Sequence, residues 1–161
     1  MEDPKALSSV AEFHRTFKHP IVEAPAIPPP QRAALRVSLL AEELKELEQA
    51  IADNDLVEVA DAFCDLQYVL AGAILEFGLG EKFKALFDEV HRSNMSKACK
   101  TVEEANDTIA HYLAKDNVEA HYKEIDGLFL VYRTADNKTL KSIAYSPAGI
   151  KDMMGGVVSG G

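Results

Sequence analysis

The stretch AEELKELEQAIADNDLVEVADAFCDL, residues 41–66, decides how this chain is expected to fold. Apolar residues recur at helical spacing through its first half, which predicts an amphipathic helix over residues 32–52. The segment DND at residues 53–55 breaks that helix, and Asp55 is a suitable N-cap for a second one. The second helix is expected over residues 56–77, where glycines follow. Since the connection is short, we expect the two helices to pack antiparallel.

The rest of the chain adds shorter helices and a few strands to this hairpin. Periodicity and capping signals predict helices over residues 8–17, 81–92 and 101–114, with a proline-rich arm or loop between the first of these and the long helices. Beyond residue 118, AHYKEI, LFLVYRT and LKSIAY are separated by DG and DN, which predicts two or three short strands. The predicted fold is all-α, an antiparallel helical bundle with a small C-terminal β-hairpin. We assign residues 1–116 to the helical part and residues 117–161 to the β appendage and tail of the same domain.

Composition limits the class of function. The 161 residues carry a formal net charge of -9 and are 47% apolar, which favours one compact domain and argues against a general nucleic-acid binder. No apolar run is long enough to span a bilayer, and the N-terminus lacks the pattern of a signal peptide. The two cysteines, Cys64 and Cys99, are expected to be free thiols. We therefore expect a cytoplasmic protein whose partners include neither nucleic acid nor a membrane.

Acidic residues on both long helices fall at spacings that place them on shared faces. On the first helix Glu43 and Glu46 are three residues apart, and Glu42 lies one turn from Glu46. The second helix is apolar nearly all round, so we expect it to be buried on most sides and its carboxylates to point inward. These carboxylates are Glu58, Asp61 and Asp65, three and four residues apart.

No basic residue stands between Glu46 and Glu81, so no nearby side chain in the sequence neutralises the acids. Two carboxylates about 5 Å apart repel by roughly 3 kcal/mol at an effective dielectric constant of about 20. Such a cluster takes up protons or binds a cation. Oxygen ligands on rigid helices favour Mg²⁺, with Mn²⁺ as an alternative. A single acid at helical spacing is typical of a solvated helix face. We interpret Glu48, Glu76 and Glu81 in this way, and also Glu42 when it is considered alone.

Two segments of the acidic stretch carry a family resemblance. EELKE at residues 42–46 followed by EVAD at residues 58–61 resembles the EExxE and ExxD signature of the all-α nucleoside triphosphate pyrophosphohydrolases, which include MazG-like, dimeric dUTPase-like and phosphoribosyl-ATP pyrophosphohydrolase proteins. The resemblance covers residues 12–97, and SNMSK at residues 93–97 is similar to the MazG-like branch. It implies hydrolysis between the α and β phosphates, giving a nucleoside monophosphate and pyrophosphate.

The resemblance also implies roles for individual residues. The residue matching Glu42 orients or deprotonates the attacking water. Those matching Asn94 and Lys97 hold the nucleotide, and we expect Asp65 to support the metal ligands or the substrate. The residues that match the metal ligands are Glu43, Glu46, Glu58 and Asp61. From the residues alone, Asn94 is as often a helix C-cap, and Lys97 is usually a solvated charge.

Other side chains are weaker candidates. Phe13, Phe17 and Tyr68 are candidates to stack on a base, although aromatic residues at such positions are more often core. Lys141 and Tyr145 are candidates for a lid over the ligand. The base is left open between dUTP, dCTP and a non-canonical deoxynucleotide, and phosphoribosyl-ATP is less favoured because of SNMSK.

Two non-catalytic hypotheses stay open beside the enzyme. One is a helical interaction module whose acidic face is inert, and the other is a divalent-cation-binding module without turnover. For the enzyme, the family resemblance implies a homodimer or homotetramer, with helical hairpins packed as a bundle.

Overall fold

The computed structural model describes residues 2–155, and within them six helices and one antiparallel pair of strands. The helices are α1 (Ala6–Phe17), α2 (Pro30–Ala52), α3 (Leu56–Glu76), α4 (Gly80–Met95), α5 (Val102–Asp116) and α6 (Ile150–Met153), and the strands are β1 (Ala120–Ile125) and β2 (Leu128–Arg133). The predicted fold class, a helical bundle with a small C-terminal hairpin, is confirmed. Most of the predicted tail, residues 156–161, lies outside the described residues.

The chain divides into two compact units, Met1–Lys84 and Ala85–Gly161, with the boundary inside α4. In the first unit α2 and α3 pack along each other as a hairpin, and α1 packs on α3. In the second unit α5 packs on β1 and β2. The predicted division of the chain after residue 116 stays a prediction.

The turn between α2 and α3 is built by a side-chain cap. The Asp55 carboxylate accepts hydrogen bonds from the backbone N–H groups of Val57 at 3.0 Å and Glu58 at 3.2 Å, which satisfies two of the donors left free at the start of α3. Asn54 precedes it with a φ of 55°. The predicted helical hairpin and its N-cap are confirmed.

The end of α3 is closed by a glycine and by the proline-rich arm. Gly78 has a φ of 68°, and Leu79 N–H donates to Ile74 O at 3.0 Å, the pattern of a Schellman motif. The arm adds two bonds, from Val22 N–H to Leu75 O at 3.0 Å and from Ala26 N–H to Phe77 O at 3.1 Å. A side chain at residue 78 would collide with the arm, since an added Cβ would lie 2.0 Å from the carbonyl oxygen of Ala24. The arm is therefore held against the α3 C-terminus.

The predicted burial of α3 is correct for only part of its length. From Ala71 to Glu76 every residue is buried. In the first half Leu56 is 79% exposed and Phe63 is 56% exposed, so the expectation that this helix is buried on most sides is wrong for the single chain. Apolar periodicity shows which helix face is suited to burial. It does not show whether that face packs against the same chain.

The second unit contains the hairpin and a loop in place of a third strand. Asp126 and Gly127, with φ values of 51° and 77°, form the turn between β1 and β2 in the geometry that tight hairpins favour. The segment LKSIAY, predicted as an optional third strand, forms no strand; its neighbour Thr139 makes an isolated bridge to Tyr132. Cys99 packs at the centre of this unit's core, and both cysteines are free, as predicted.

Within residues 2–155, no single helix is long and apolar enough to cross a membrane; only the broken pair α3 and α4, taken together, has that length and composition.

Candidate active site

The acids of α2 and α3 act on one another across the hairpin. Burial raises the pKa of Glu43 above its ordinary value, and neighbouring carboxylates on both helices raise it further. In decreasing order of effect these neighbours are Asp65, Glu46, Glu42 and Asp61. The structure thus brings together five of the six acids that the sequence singled out. The sixth, Glu58, lies at the start of α3, where its backbone N–H donates to Asp55.

The structure contradicts the expectation that these carboxylates point into the protein. Glu43 is half-buried, whereas Glu46 on α2 and the three acids of α3 are exposed in the single chain. The predicted inward orientation is therefore wrong, because the face of α3 that carries the acids borders the contact with α2 instead of filling it. The assignment of Glu43, Glu46, Glu58 and Asp61 as metal ligands stays a prediction.

The chemistry of the acid cluster suits a hard divalent cation. Its donors are all carboxylate oxygens, and within residues 2–155 none of them forms an ion pair with a basic side chain. Among the same residues, no three His, Cys, Asp or Glu side chains are already arranged around a common point. Coordination at about 2.0–2.6 Å would therefore need new side-chain rotamers, which exposed carboxylates can adopt.

The predicted nucleotide contacts lie in the second unit and bond to each other. The ammonium group of Lys97 donates to the side-chain oxygen of Asn94 at 2.8 Å. Lys141 and Tyr145, the lid candidates, also meet there, with the Lys141 ammonium 4.4 Å from the centre of the Tyr145 ring. A role for any of these four residues in binding a nucleotide stays a prediction.

A pocket of about 190 Å³ opens in the first unit, between α1, α2 and α3. Its apolar wall includes Phe13 and Tyr68, whose rings meet edge to face at 5.7 Å between centroids. Its polar wall comes from two imidazoles and two guanidinium groups. The polar lining residues are His14, His19, Arg32 and Arg36.

Behind the pocket lies a buried ion pair that sequence reasoning missed. Glu76 is 1% exposed, and its carboxylate accepts hydrogen bonds from both Arg32 and Arg36. Burial acts to raise the pKa of Glu76, but the hydrogen bonds from Arg36 and Arg32 outweigh it and lower the pKa. The interpretation of Glu76 as a solvated charge is therefore wrong.

The Arg36 guanidinium group, which donates to Glu76, also contacts the imidazole ring of His14. The Nδ1 atom of His14 lies 2.8 Å from the carbonyl oxygen of Pro20, which can only accept, so Nδ1 carries the proton. Nε2 then has a lone pair that faces the Nη2 atom of Arg36 at 3.4 Å. Burial lowers the pKa of His14, and the charge of Arg36 lowers it further, which favours this neutral form.

The small size of Gly72 makes room for this arrangement. A methyl group added there would lie 2.8 Å from Arg36 Nη1 and 3.2 Å from His14 Nε2. Both contacts are tighter than van der Waals distance, so any larger residue displaces the guanidinium group or the imidazole.

The pocket and the acid cluster are neighbours on the same two helices. On α2, Leu39 of the pocket precedes Glu43 by four residues; on α3, Asp65 precedes Val69 of the pocket by four. Residues at this spacing are adjacent on a helix surface, about 6 Å apart. A ligand that reaches from one site to the other needs to span only about one helical turn.

The sequence did contain signals for the missed residues. Glu76 is the only charged residue between Asp65 and Glu81, and a single acid in a long apolar run is seldom left in contact with water. Arg32 and Arg36 are four residues apart, so both can reach one carboxylate. What the sequence does not give is the register between α2 and α3 that brings them to Glu76.

Comparisons with known proteins identify the family of the helical part of the chain. Residues 10–94 match the model of the family described as phosphoribosyl-ATP pyrophosphohydrolase, a span of slightly more than half of the chain that contains the whole acid cluster and the pocket. The chain is also 33% identical over 93 residues to the uncharacterized protein L479 of Acanthamoeba polyphaga mimivirus. That match covers 55% of this chain and 37% of the viral protein, so the chain spans little more than a third of that relative. The chain belongs to the phosphoribosyl-ATP pyrophosphohydrolase family, within the nucleoside triphosphate pyrophosphohydrolase-like superfamily.

Proposed function

We propose that this protein is a Mg²⁺-dependent nucleoside triphosphate pyrophosphohydrolase that cleaves the bond between the α and β phosphates, with dUTP or a non-canonical deoxynucleotide as substrate and nucleotide-pool housekeeping as its role. The family supports pyrophosphohydrolase chemistry on nucleotides in general. The observation that carries the proposal is Glu43, a half-buried carboxylate whose pKa is raised by burial and by the charges of four neighbouring acids. A chain with this arrangement gains from a dication, and a polyphosphate needs one to approach it.

Each acid then has a part in the reaction. Glu43, Glu46, Glu58 and Asp61 would hold Mg²⁺, or Mn²⁺ as an alternative, and the ion would neutralise charge on the phosphate oxygens. Glu42 would orient a water molecule and take its proton as the water oxygen bonds to the α phosphorus. The bond from phosphorus to the bridging oxygen breaks, and pyrophosphate leaves with the bridging oxygen. Asp65, the carboxylate with the largest effect on Glu43, is proposed to hold the metal ligands in position.

A product analysis tests this function. We expect purified protein with Mg²⁺ to convert a deoxynucleoside triphosphate into the monophosphate and pyrophosphate, and to produce neither when EDTA removes the metal. The screen should include dUTP, dCTP, oxidised deoxynucleotides and phosphoribosyl-ATP. Release of orthophosphate instead of pyrophosphate, or no turnover of any nucleotide with Mg²⁺ or Mn²⁺, would refute the proposal.

We also propose that the protein works as a homo-oligomer, in the simplest case a dimer. Apolar side chains stand exposed at intervals of seven residues on both long helices, a spacing that keeps each set on one helix face. They are Val37, Leu44 and Ile51 on α2 and Leu56, Phe63 and Leu70 on α3, with exposures between 41% and 79%. Pairing two hairpins would bury both sets in a four-helix bundle. Light scattering should give twice the mass of the chain or more, and Phe63→Glu should lower it; a monomer at micromolar concentration would contradict this proposal.

A further inference from the structure

The pocket beside the acid cluster offers many hydrogen-bond donors and few free acceptors. Guanidinium groups only donate, and Arg32 and Arg36 both line it. The Glu76 carboxylate behind them is already bonded to both, and the one lone pair of His14 faces Arg36. Among the polar side chains of the lining, Tyr68 and His19 alone keep acceptor capacity. A ligand group in this pocket therefore has to bring acceptors.

Two nitrogen atoms of Arg36 lack a hydrogen-bond partner within the described residues. Arg36 is 7% exposed, and its Nε–H group is buried with no hydrogen-bond acceptor within residues 2–155. Nε itself is closed off from solvent, and the nitrogen that lies beside Gly72 of the pocket lining is Nη1, which donates no hydrogen bond within the described residues. Nη1 is therefore the donor that a ligand in the pocket can meet. Arg36 cannot simply turn to solvent, since Glu76 and His14 hold its far end.

The size and walls of the pocket suit one flat ring system. Its volume of about 190 Å³ is below the roughly 300–1,000 Å³ of sites that enclose a whole drug-sized ligand. Phe13 and Tyr68 provide aromatic surface on which a base can stack. The neighbouring acids, one helical turn away, are where the phosphates would lie if a nucleotide bridged both sites.

We propose that this pocket receives the nucleobase and that Arg36 selects bases with a carbonyl oxygen at the pyrimidine 4-position or the purine 6-position. These bases are uracil, thymine, hypoxanthine and guanine, whereas cytosine and adenine carry an amino group at that position. The inference rests on the proposed function, because it treats the acid cluster as the phosphate site. Uracil and cytosine have nearly the same shape, so Arg36 discriminates between them by chemistry and not by size. An amino group in place of the carbonyl would bring a donor against the Arg36 guanidinium group, and neither of the two donors would find an acceptor in the other.

Matched substrates test the selection directly. The pairs dUTP and dCTP, and dITP and dATP, differ in the pocket chiefly by a carbonyl or an amino group. For each pair in which at least one nucleotide is hydrolysed, we expect kcat/KM to be at least tenfold higher for dUTP than for dCTP, or for dITP than for dATP. Equal values within the pairs, or a preference for the amino member, would overturn the pocket proposal while leaving the proposed hydrolysis intact.

A binding measurement separates the two proposals. dUMP and dCMP carry the base without a scissile anhydride bond, and their effect on the melting temperature does not depend on turnover. We expect dUMP to raise the melting temperature at a concentration where dCMP does not. If no triphosphate is hydrolysed but dUMP still stabilises the protein selectively, the proposed function fails and the pocket assignment survives.

Two variants locate the effect at Arg36. Arg36→Gln replaces a donor-only group by an amide that both donates and accepts, so the preference for dUTP over dCTP should fall severalfold or disappear. Because this change also disturbs Glu76, Gly72→Ala serves as the second variant: it keeps all charges but crowds the guanidinium group, and it should reduce the same preference. Arg133→Gln, which breaks a surface pair with Asp136, is the control and should leave the preference unchanged. A folded Gly72→Ala protein with the wild-type ratio would remove Arg36 from base selection.

Discussion

Glu43 and Glu76 are carboxylates on the two helices of one hairpin, and their surroundings shift their pKa values in opposite directions. Glu76 is fully buried, bonded by two arginines, and has a lowered pKa. Glu43 is only half-buried, stands among four other acids, and has a raised pKa. The more deeply buried acid is thus the one that keeps its charge more easily.

This difference separates a charge that the fold neutralises from a charge that the fold leaves among other negative charges. At Glu76 the fold itself supplies the cations, which fixes α2 against α3 and shapes the pocket. At Glu43 the fold brings acids together and supplies no cation from the described residues. A stable domain tolerates such repulsion most readily where a bound cation relieves it.

The largest expected effect comes from breaking the buried pair. Glu76→Leu leaves two guanidinium groups without their anion and should lower the free energy of unfolding by roughly 3 kcal/mol, near the low end for a buried pair because Arg32 is partly exposed. Urea denaturation measures the change. Glu48→Leu, at an exposed position on α2, is the control and should stay within about 0.5 kcal/mol. Equal small changes in both variants would mean that Glu76 is not a structural charge.

Neutralising an acid of the other region should affect turnover and spare the fold. Glu46→Gln is expected to lower the rate of pyrophosphate release by at least about 100-fold, since even groups that only support metal ligands change activity by 10–100-fold. Its stability in metal-free buffer should be unchanged or higher, because one repulsive charge is removed. Glu48→Gln keeps the same chemistry on the same helix and should retain activity. A fully active Glu46→Gln enzyme would remove this residue from the mechanism.

Metal should stabilise the protein, and more so at higher pH. Because the pKa of Glu43 is raised, protonated Glu43 stabilises the fold below its ordinary pKa, and this contribution is lost as the pH rises through the raised value. Saturating Mg²⁺ at 100 times its Kd adds about 2.7 kcal/mol, and this gain should shrink as the cluster takes up protons. Melting curves with and without Mg²⁺ between pH 5 and pH 8 measure it. A gain that is independent of pH and persists in Glu43→Gln would place the ion elsewhere.

The smallest expected effect is a pH dependence of stability that comes from His14 in the pocket. The folded protein holds His14 neutral with a lowered pKa, so the stability it contributes is present above the ordinary value of 6.5 and is lost as the pH falls through the lowered one. Stability should therefore decline between pH 7 and pH 5 more steeply in the wild type than in His14→Gln. His111→Gln, on the exposed side of α5, serves as the control. Parallel pH profiles for the wild type and His14→Gln would show that His14 protonates without strain on the fold.

Local chemistry made the helices predictable. Asp55 caps α3 as expected, and Thr101 accepts the Glu104 N–H group at 3.1 Å at the start of α5. The residues TVEE at 101–104 have the spacing of a capping box, in which the Glu104 carboxylate would accept from Thr101 N–H. It accepts from Lys100 N–H instead, at 3.0 Å. Signals that act within four residues fix where helices begin and end.

Burial and long-range pairing were less predictable. The contact between Glu76 and Arg32 joins residues 44 positions apart, and no spacing rule within one helix reports it. The same limit explains the acids: periodicity places Asp61 and Asp65 on one face, but whether that face meets α2, solvent or a second chain depends on packing. The sequence therefore pointed to the acid cluster and to two aromatic residues of the pocket, Phe13 and Tyr68, but not to the arginines that line the pocket.

Binding of Mn²⁺, followed by electron paramagnetic resonance, tests the central claim most directly, since it reports on the acid cluster without any substrate. We predict that the wild type and Glu48→Gln bind Mn²⁺ alike, and that Glu46→Gln and Asp61→Asn bind it at least about tenfold more weakly. Equal Mn²⁺ affinity in all four proteins would contradict the claim that the acids of α2 and α3 form the metal site.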